Sequence, residues 1–152
     1  GGPTRAGSVR AGLRAVPPEA RVVVVHDAAR PLSNARVWDA VIAAVAQGAE
    51  AAIPCVPVSD TIKRREDDGR LVTLERARLL AVQTPQAFLA SALRAAHADG
   101  GEATDDAALV EAIGGRVVSV AGEETNIKVT NRHDLALAET LISVDATVGG
   151  VP

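Results

Sequence analysis

Aromatic residues are almost absent: the 152-residue chain has one Trp, one Phe and no Tyr. No platform for stacking single-stranded nucleic acid is therefore available. The charge points the same way. Sixteen basic and 19 acidic side chains give a formal net charge of −3, which leaves no electrostatic footprint for DNA. The single cysteine, Cys55, excludes an internal disulfide framework and fits a reducing cytoplasm. Long apolar runs are missing: Val37 to Ala49 is interrupted by Asp39 and is too short to span a bilayer. No secretory leader pattern opens the chain. Methionine is missing altogether, and Gly1-Gly2-Pro3 is no initiation sequence, so the chain reads as beginning inside a protein. Neither G-x-x-x-x-G-K-S/T nor G-x-G-x-x-G occurs, so there is no complete phosphate loop. The three His residues and Cys55 have no zinc spacing, and Ser8 and Ser59 lack the surroundings of a nucleophile elbow.

What is present describes a globular domain. Hydrophobic residues make up 47% and charged residues 23%, near the averages for such proteins, and the length suits one domain with a real core. Thirty residues are alanine. Fourteen of the 16 basic residues are Arg, so the two lysines, Lys63 and Lys128, stand out.

The pattern along the chain alternates strand and helix. Ser8 to Val16 reads as a short helix stopped by Pro17-Pro18. Val22-Val23-Val24-Val25 suits a strand buried on both faces. Ser33 or Asn34 can cap a helix through Gln47, with Val37, Val41, Ala44 and Val45 on one face and Gly48 after its end. Ala51 to Val56 closes a strand-helix-strand unit. Ser59 to Arg78 is charge-rich with a turn signal at Asp68-Gly69, and reads as an exposed hairpin. A helix over Leu89 to Ala98 follows. Thr104 is placed as the N-cap of a helix ending at Gly114-Gly115. Arg116 to Val120 and Asn126 to Val129 read as short strands. Asn131, with Asp134, caps a last helix to about Ser143, and Asp145 to Pro152 reads as a loose tail. The expected fold is α/β, with a mostly parallel sheet flanked by helices and one projecting hairpin. A single domain covers residues 1–144.

His26-Asp27-Ala28-Ala29-Arg30-Pro31 is the most informative stretch. An Asp at the carboxyl end of a buried strand lies where open α/β sheets bind ligands. A carboxylate there can hold Mg²⁺ on a nucleotide phosphate. Arg30 offers a fork for phosphate, while Ala28 and Ala29 let a ligand approach the backbone. The plain alternative is an Asp capping a turn and an Arg on the surface. Thr84-Pro85-Gln86 falls at a strand end and is equally readable as an ordinary turn. Thr104-Asp105-Asp106 is first a helix start, although a helix N-terminus can receive an anion. Lys128 is either a solvated charge or a phosphate ligand. Arg76 in the charged hairpin is by default solvated like its neighbours.

Taken in order, the motifs resemble the 2-C-methyl-D-erythritol 4-phosphate cytidylyltransferases. The matching strings are Gly1-Gly2 with Ser8-Val9, HDAARP at 26–31, SDTIKR at 59–64, Glu75-Arg76, QTPQAF at 83–88, TDDA at 104–107 and NIKVT at 126–130. The resemblance implies a Rossmann-like fold whose dimers exchange a β-arm, here residues 59–78. It also implies transfer of a cytidylyl group from CTP to methylerythritol phosphate in the non-mevalonate isoprenoid pathway. Under it Gly2 and Ser8 contact the cytosine. Asp27 and Ala28 face the ribose and the Mg²⁺-triphosphate, with Asp27 on the metal. Arg76 and Lys128 position the substrate phosphate for attack, and Arg30, Thr61, Thr84 and Thr104 line the substrate site. Thr61 and Arg76 are implied to reach the partner subunit of a homodimer. Neither nucleic acid nor membrane is an expected partner, and the expected location is the cytoplasm.

The family opens with a Gly-rich strand-loop-helix that grips the triphosphate. Nothing like it precedes Gly1, and Pro3 replaces the residue usual after the two glycines. The chain alone is therefore expected to be incomplete for activity. Two other readings are a ribitol-5-phosphate cytidylyltransferase, with the same fold and reaction, and an inactive fragment that only dimerises through its arm. The Ala-Ala of HDAARP and the NIKVT string favour methylerythritol phosphate over ribitol phosphate.

Overall fold

The valine run forms strand β1 (Val22–Val25). Its side chains divide between two layers, as alternation along a strand requires. Val23 and Val25 pack into a cluster built on Leu13, Phe88, Leu93 and Val110. Val22 and Val24 pack into a second cluster built on Val41, Val45, Ala52 and Ala87. The computed structural model describes residues 1–148.

Helix α1 (Arg5–Ala15) precedes β1, and helix α2 (Ala35–Ala46) and strand β2 (Ala51–Pro57) follow it. The arm contains strands β3 (Lys63–Arg65) and β4 (Leu71–Thr73) and ends in a 3-10 turn at Arg76–Arg78. Strands β5 (Leu80–Val82) and β6 (Gln86–Leu89) return to the body. Helices α3 (Ala90–Ala96) and α4 (Asp106–Ala112), strand β7 (Val117–Ala121) and helix α5 (Arg132–Val148) complete the order.

The main sheet is mixed, where a mostly parallel one was expected. Strand β7 runs parallel to β2, but the pairings β1 with β6, β2 with β6 and β2 with β5 are antiparallel. Strands β1 and β2 are parallel to each other only through β6, which lies between them. The chain returning from the arm runs along one edge of β2, first as β5 and then as β6, and so enters opposite to its neighbours. The layers remain those of an α/β fold: α1, α3 and α4 supply one face and α2 the other. Ala51, Ala52 and Ala87 are fully buried within the sheet, so part of the alanine content lets the layers approach closely.

Local chemistry sets most ends. Asn34 caps α2, its Oδ1 accepting from Val37 N at 3.3 Å, and Gly48 adopts φ 101° just past the helix. Asn34→Ala is expected to lower stability by about 1 kcal/mol in urea unfolding. An unchanged midpoint would mean that tertiary contacts alone hold this helix start. For α5, Asn131 Oδ1 accepts from Asp134 N while Asp134 Oδ2 accepts from Asn131 N, a reciprocal cap.

Four boundaries differ from expectation. Helix α1 starts at Arg5, not Ser8, because Thr4 caps it, its Oγ1 accepting from Gly7 N at 3.0 Å. The cap of α4 is Asp105, not Thr104: Asp105 has extended backbone and its Oδ1 accepts from Ala108 N at 2.9 Å. Residues 126–129 form no strand. Val129 N donates to Ala29 O at 2.7 Å, and the Asn126 side chain ties the segment to Thr84 O at 2.9 Å. Helix α5 runs to Val148, past the start of the expected tail, and residues 149–152 lie outside the described residues.

The hairpin is as expected. Strands β3 and β4 pair antiparallel from Lys63 with Thr73 to Arg65 with Leu71, and Gly69 takes φ 84° in the turn. No helix among the described residues is long and apolar enough to cross a membrane.

Candidate active site

Strand β1 delivers His26 and Asp27 at its carboxyl end. His26 is fixed on both ring nitrogens: Nδ1 lies 3.1 Å from Thr84 Oγ1, and Nε2 lies 3.1 Å from Arg30 O. A carbonyl can only accept, so Nε2 carries a proton, and in the neutral imidazole Nδ1 accepts from the Thr84 hydroxyl. That hydroxyl in turn accepts from Asp27 N at 3.0 Å. Thr84 thus ties the β5–β6 junction to the HDAARP turn, which Arg30 N closes on Asp27 O at 2.9 Å.

The QTPQ segment anchors the other wall. Gln83 Nε2 donates to Glu123 O at 2.7 Å, and Gln83 Oε1 accepts from Glu123 N and from Asn126 Nδ2. Asn126, fully buried, also donates to Thr84 O at 2.9 Å. Gly122 is needed here, because a Cβ would stand 2.7 Å from Gln83 Oε1. This buried amide network orients the following residues, so that Lys128 Nζ meets Asp27 Oδ2 at 2.7 Å.

Burial by itself raises the Asp27 pKa. The hydrogen bond and charge of Lys128, with the charges of Arg5 and Arg30, outweigh it, and the carboxyl titrates below its ordinary 3.8. The folded value is the depressed one. The resulting stabilisation is therefore present above about pH 4 and is lost as pH falls through the folded pKa. A carboxyl-carbon NMR titration is expected to place the Asp27 midpoint below 3.8, and Lys128→Ala is expected to raise it. A midpoint unmoved by that substitution would remove Lys128 as the cause.

A pocket of about 290 Å³ opens at this end of the sheet, lined by Arg5, Asp27, Arg30, Val82, Gln83, Thr84, Gln86, Thr104, Asp105 and Lys128. Five residues singled out from the sequence therefore meet here: Asp27, Arg30, Thr84, Thr104 and Lys128. Arg30 is partly engaged, donating to Asn126 O at 2.7 Å and Val82 O at 3.5 Å. Ala28 is exposed on the adjoining turn. Gly2 and Ser8 are joined to each other, Gly2 N donating to Ser8 Oγ at 2.9 Å. A Cβ on Gly2 would fall 2.5 Å from the Gly7 carbonyl carbon, so only glycine fits. Ser8 lines a separate groove along β1 that reaches His26. Thr61 and Arg76 are exposed on the arm and do not line the pocket of their own chain. Arg76 donates to Ser59 O.

Of the other five lining residues, sequence reasoning quoted Gln83, Gln86 and Asp105 only within matching strings and missed Arg5 and Val82 as pocket residues. Asp105 looked like part of a helix start, which it also is. Nothing distinguished Arg5 among fourteen arginines. Of the two carboxylates in the pocket, Asp105 is used internally, by Ala108 N and Gln86 Nε2. Among the described residues no group of three or more His, Cys, Asp or Glu could hold a metal ion by itself.

A Rossmann-like α/β body with a cation-rich pocket at the carboxyl end of its strands is the arrangement used for phosphorylated ligands. The profile of one family, 2-C-methyl-D-erythritol 4-phosphate cytidylyltransferase, matches residues 1–144, and the chain belongs to that family. It is similar to the 2-C-methyl-D-erythritol 4-phosphate cytidylyltransferase of Streptomyces coelicolor, at 49% identity over 94% of this chain and 56% of that protein. The enzyme of the same name from Thermus thermophilus has a crystal structure that superposes with a TM-score of 0.82 at 43% identity, covering 93% of this chain and 70% of the other. The crystal structure of 4-diphosphocytidyl-2C-methyl-D-erythritolsynthase from Anaerococcus prevotii gives a TM-score of 0.87 at 31% identity, over 94% and 68%. The chain thus spans little more than half the length of its Streptomyces coelicolor relative.

Proposed function

We propose that this chain carries the substrate-phosphate part of a cytidylyltransferase site. The reaction joins CTP and 2-C-methyl-D-erythritol 4-phosphate to give 4-diphosphocytidyl-2-C-methyl-D-erythritol and pyrophosphate, a step of non-mevalonate isoprenoid synthesis. The observation that carries this reading is the meeting of Lys128, Arg30, Thr104 and Asp27 around one pocket in a chain of this family.

The chemistry suits these residues. An oxygen of the acceptor phosphate attacks the α-phosphorus of CTP, a new phosphorus–oxygen bond forms, and the bond to the β-phosphate oxygen breaks in line. A phosphate dianion is already a nucleophile and needs no general base. The protein's work is then positioning and neutralising charge. Lys128 and Arg30 do this for the acceptor phosphate. Thr84 acts from behind, since its hydroxyl is used to hold Asp27 and His26. Ser8, in the separate groove along β1, and Gly2, bonded to it, take the cytosine end, and Ala28 lies beside the ribose.

Mg²⁺ fits the residues present. It keeps several waters and is commonly bound by one or two carboxylates plus substrate phosphates. Asp27, ionised and at the mouth of the strand, is such a single carboxylate. When bound, Mg²⁺ would neutralise charge on the triphosphate.

The arm supports a homodimer in which Thr61 and Arg76 serve the partner's pocket. Leu71 on β4 and Leu80 and Val82 on β5 are exposed large apolar residues, a surface that suits a partner chain. The proposed location is the cytoplasm, since both substrates are charged metabolites. The test is product formation by the full-length protein from CTP with each acceptor. Methylerythritol phosphate is expected to react and ribitol 5-phosphate to fail; the reverse would overturn the substrate assignment.

A further inference from the structure

Arg5 stands in the pocket and is held from behind. Its Nη2 donates to Asp106 Oδ2 at 2.8 Å, across 101 positions of sequence. Asp106 is wholly buried, and its other oxygen meets His97 Nε2 at 2.9 Å. A buried carboxylate engaged on both oxygens gives the guanidinium a fixed seat. The other end is different. Arg5 Nη1 is buried and has no protein partner among the described residues. Two further atoms of pocket residues, Arg30 Nε and Gln86 Oε1, are in the same condition. Buried donors and acceptors are nearly always paired, because leaving one unpaired costs free energy. Two of these three atoms, Arg5 Nη1 and Arg30 Nε, are donors and call for an acceptor such as an anion; Gln86 Oε1 is itself an acceptor and calls for a donor.

The ligand's chemistry follows from its company. Arg5 shares the pocket with Lys128, Arg30 and Thr104, whereas Ser8, which Gly2 N contacts, belongs to a separate groove. We propose that Arg5, whose side chain is 32% exposed, binds the phosphate of the acceptor substrate through its guanidinium, with Asp106 and His97 as its positioning residues. The inference rests on the cytidylyltransferase reading and adds a phosphate ligand to it. Asp27 feels the same guanidinium, whose charge helps keep its carboxyl ionised.

The test is steady-state kinetics of the full-length protein with Arg5→Lys and Asp106→Asn. A lysine can keep the pair with Asp106 but cannot also fork to a phosphate. Arg5→Lys is expected to raise KM for methylerythritol phosphate about tenfold while KM for CTP stays within about twofold. Asp106→Asn should move the same KM in the same direction by less, because Arg5 loses its charged seat. Equal changes in both KM values would mean a merely structural role and would overturn the proposal. So would a change confined to CTP, or none. If Arg5→Lys does not fold, Asp106→Asn decides by the same split. A wild-type protein that makes no product from CTP and methylerythritol phosphate would instead overturn the functional reading, and the proposal with it.

Discussion

Replacing Lys128 by alanine is expected to lower kcat/KM for cytidylyl transfer about 10²-fold, or about 3 kcal/mol of transition-state stabilisation. The ammonium lies 2.7 Å from Asp27 with its side chain 48% exposed, so it can reach a phosphate entering the pocket. Stability should change much less, because a partly exposed ion pair contributes about 0–1 kcal/mol. That contrast separates a role in the reaction from a role in folding. Activity within about threefold of wild type would return Lys128 to the status of a solvated charge.

Arg76→Ala is expected to cost a similar factor, about 10²-fold, although Arg76 is outside the pocket of its own chain. Arg76→Lys should also be poor, since an ammonium cannot reproduce the bidentate fork. The sharper experiment mixes the two inactive full-length variants, Arg76→Ala and Lys128→Ala. If the arm crosses to the partner, each site combines Lys128 of one chain with Arg76 of the other. In the mixed dimer one site then has both residues intact, and the second carries both lesions. Equal random mixing makes half the dimers mixed, so about a quarter of wild-type activity should return in a two-fold dimer. If Arg76 serves its own chain, every site keeps one lesion and nothing returns. Heterodimer formation without recovery would remove the exchanged-arm arrangement.

Much of the fold was readable because its signals are local. The valine run, the Asn34 cap and the Asp68-Gly69 turn each act within a few residues, and each stands where the sequence put it. The Asn131–Asp134 cap held as well, although its helix runs on to Val148. Asp105 displaced Thr104 as a cap for an equally local reason: both are capping residue types, and only backbone conformation distinguishes them. The strand expected at 126–129 does not form: the backbone bonds of Asn126 and Ile127 are local turns to Glu123 O and Thr125 O, and Val129 N reaches the HDAARP turn, contacts invisible to periodicity.

The sequence by itself determined the alternation of elements, the exposed arm and the set of polar strings that identify the family. Those depend on short-range periods, turn chemistry and residue identity. Only the tertiary structure decided that β6 lies between β1 and β2, since strand pairing is a contest among distant segments. It also decided that Asp27 faces Lys128, that Thr61 and Arg76 stay outside the pocket of their own chain, and that Arg5 enters it on a seat made by Asp106 and His97. An arginine's partner is chosen by which buried carboxylate the packing brings within reach, and no local pattern encodes that choice.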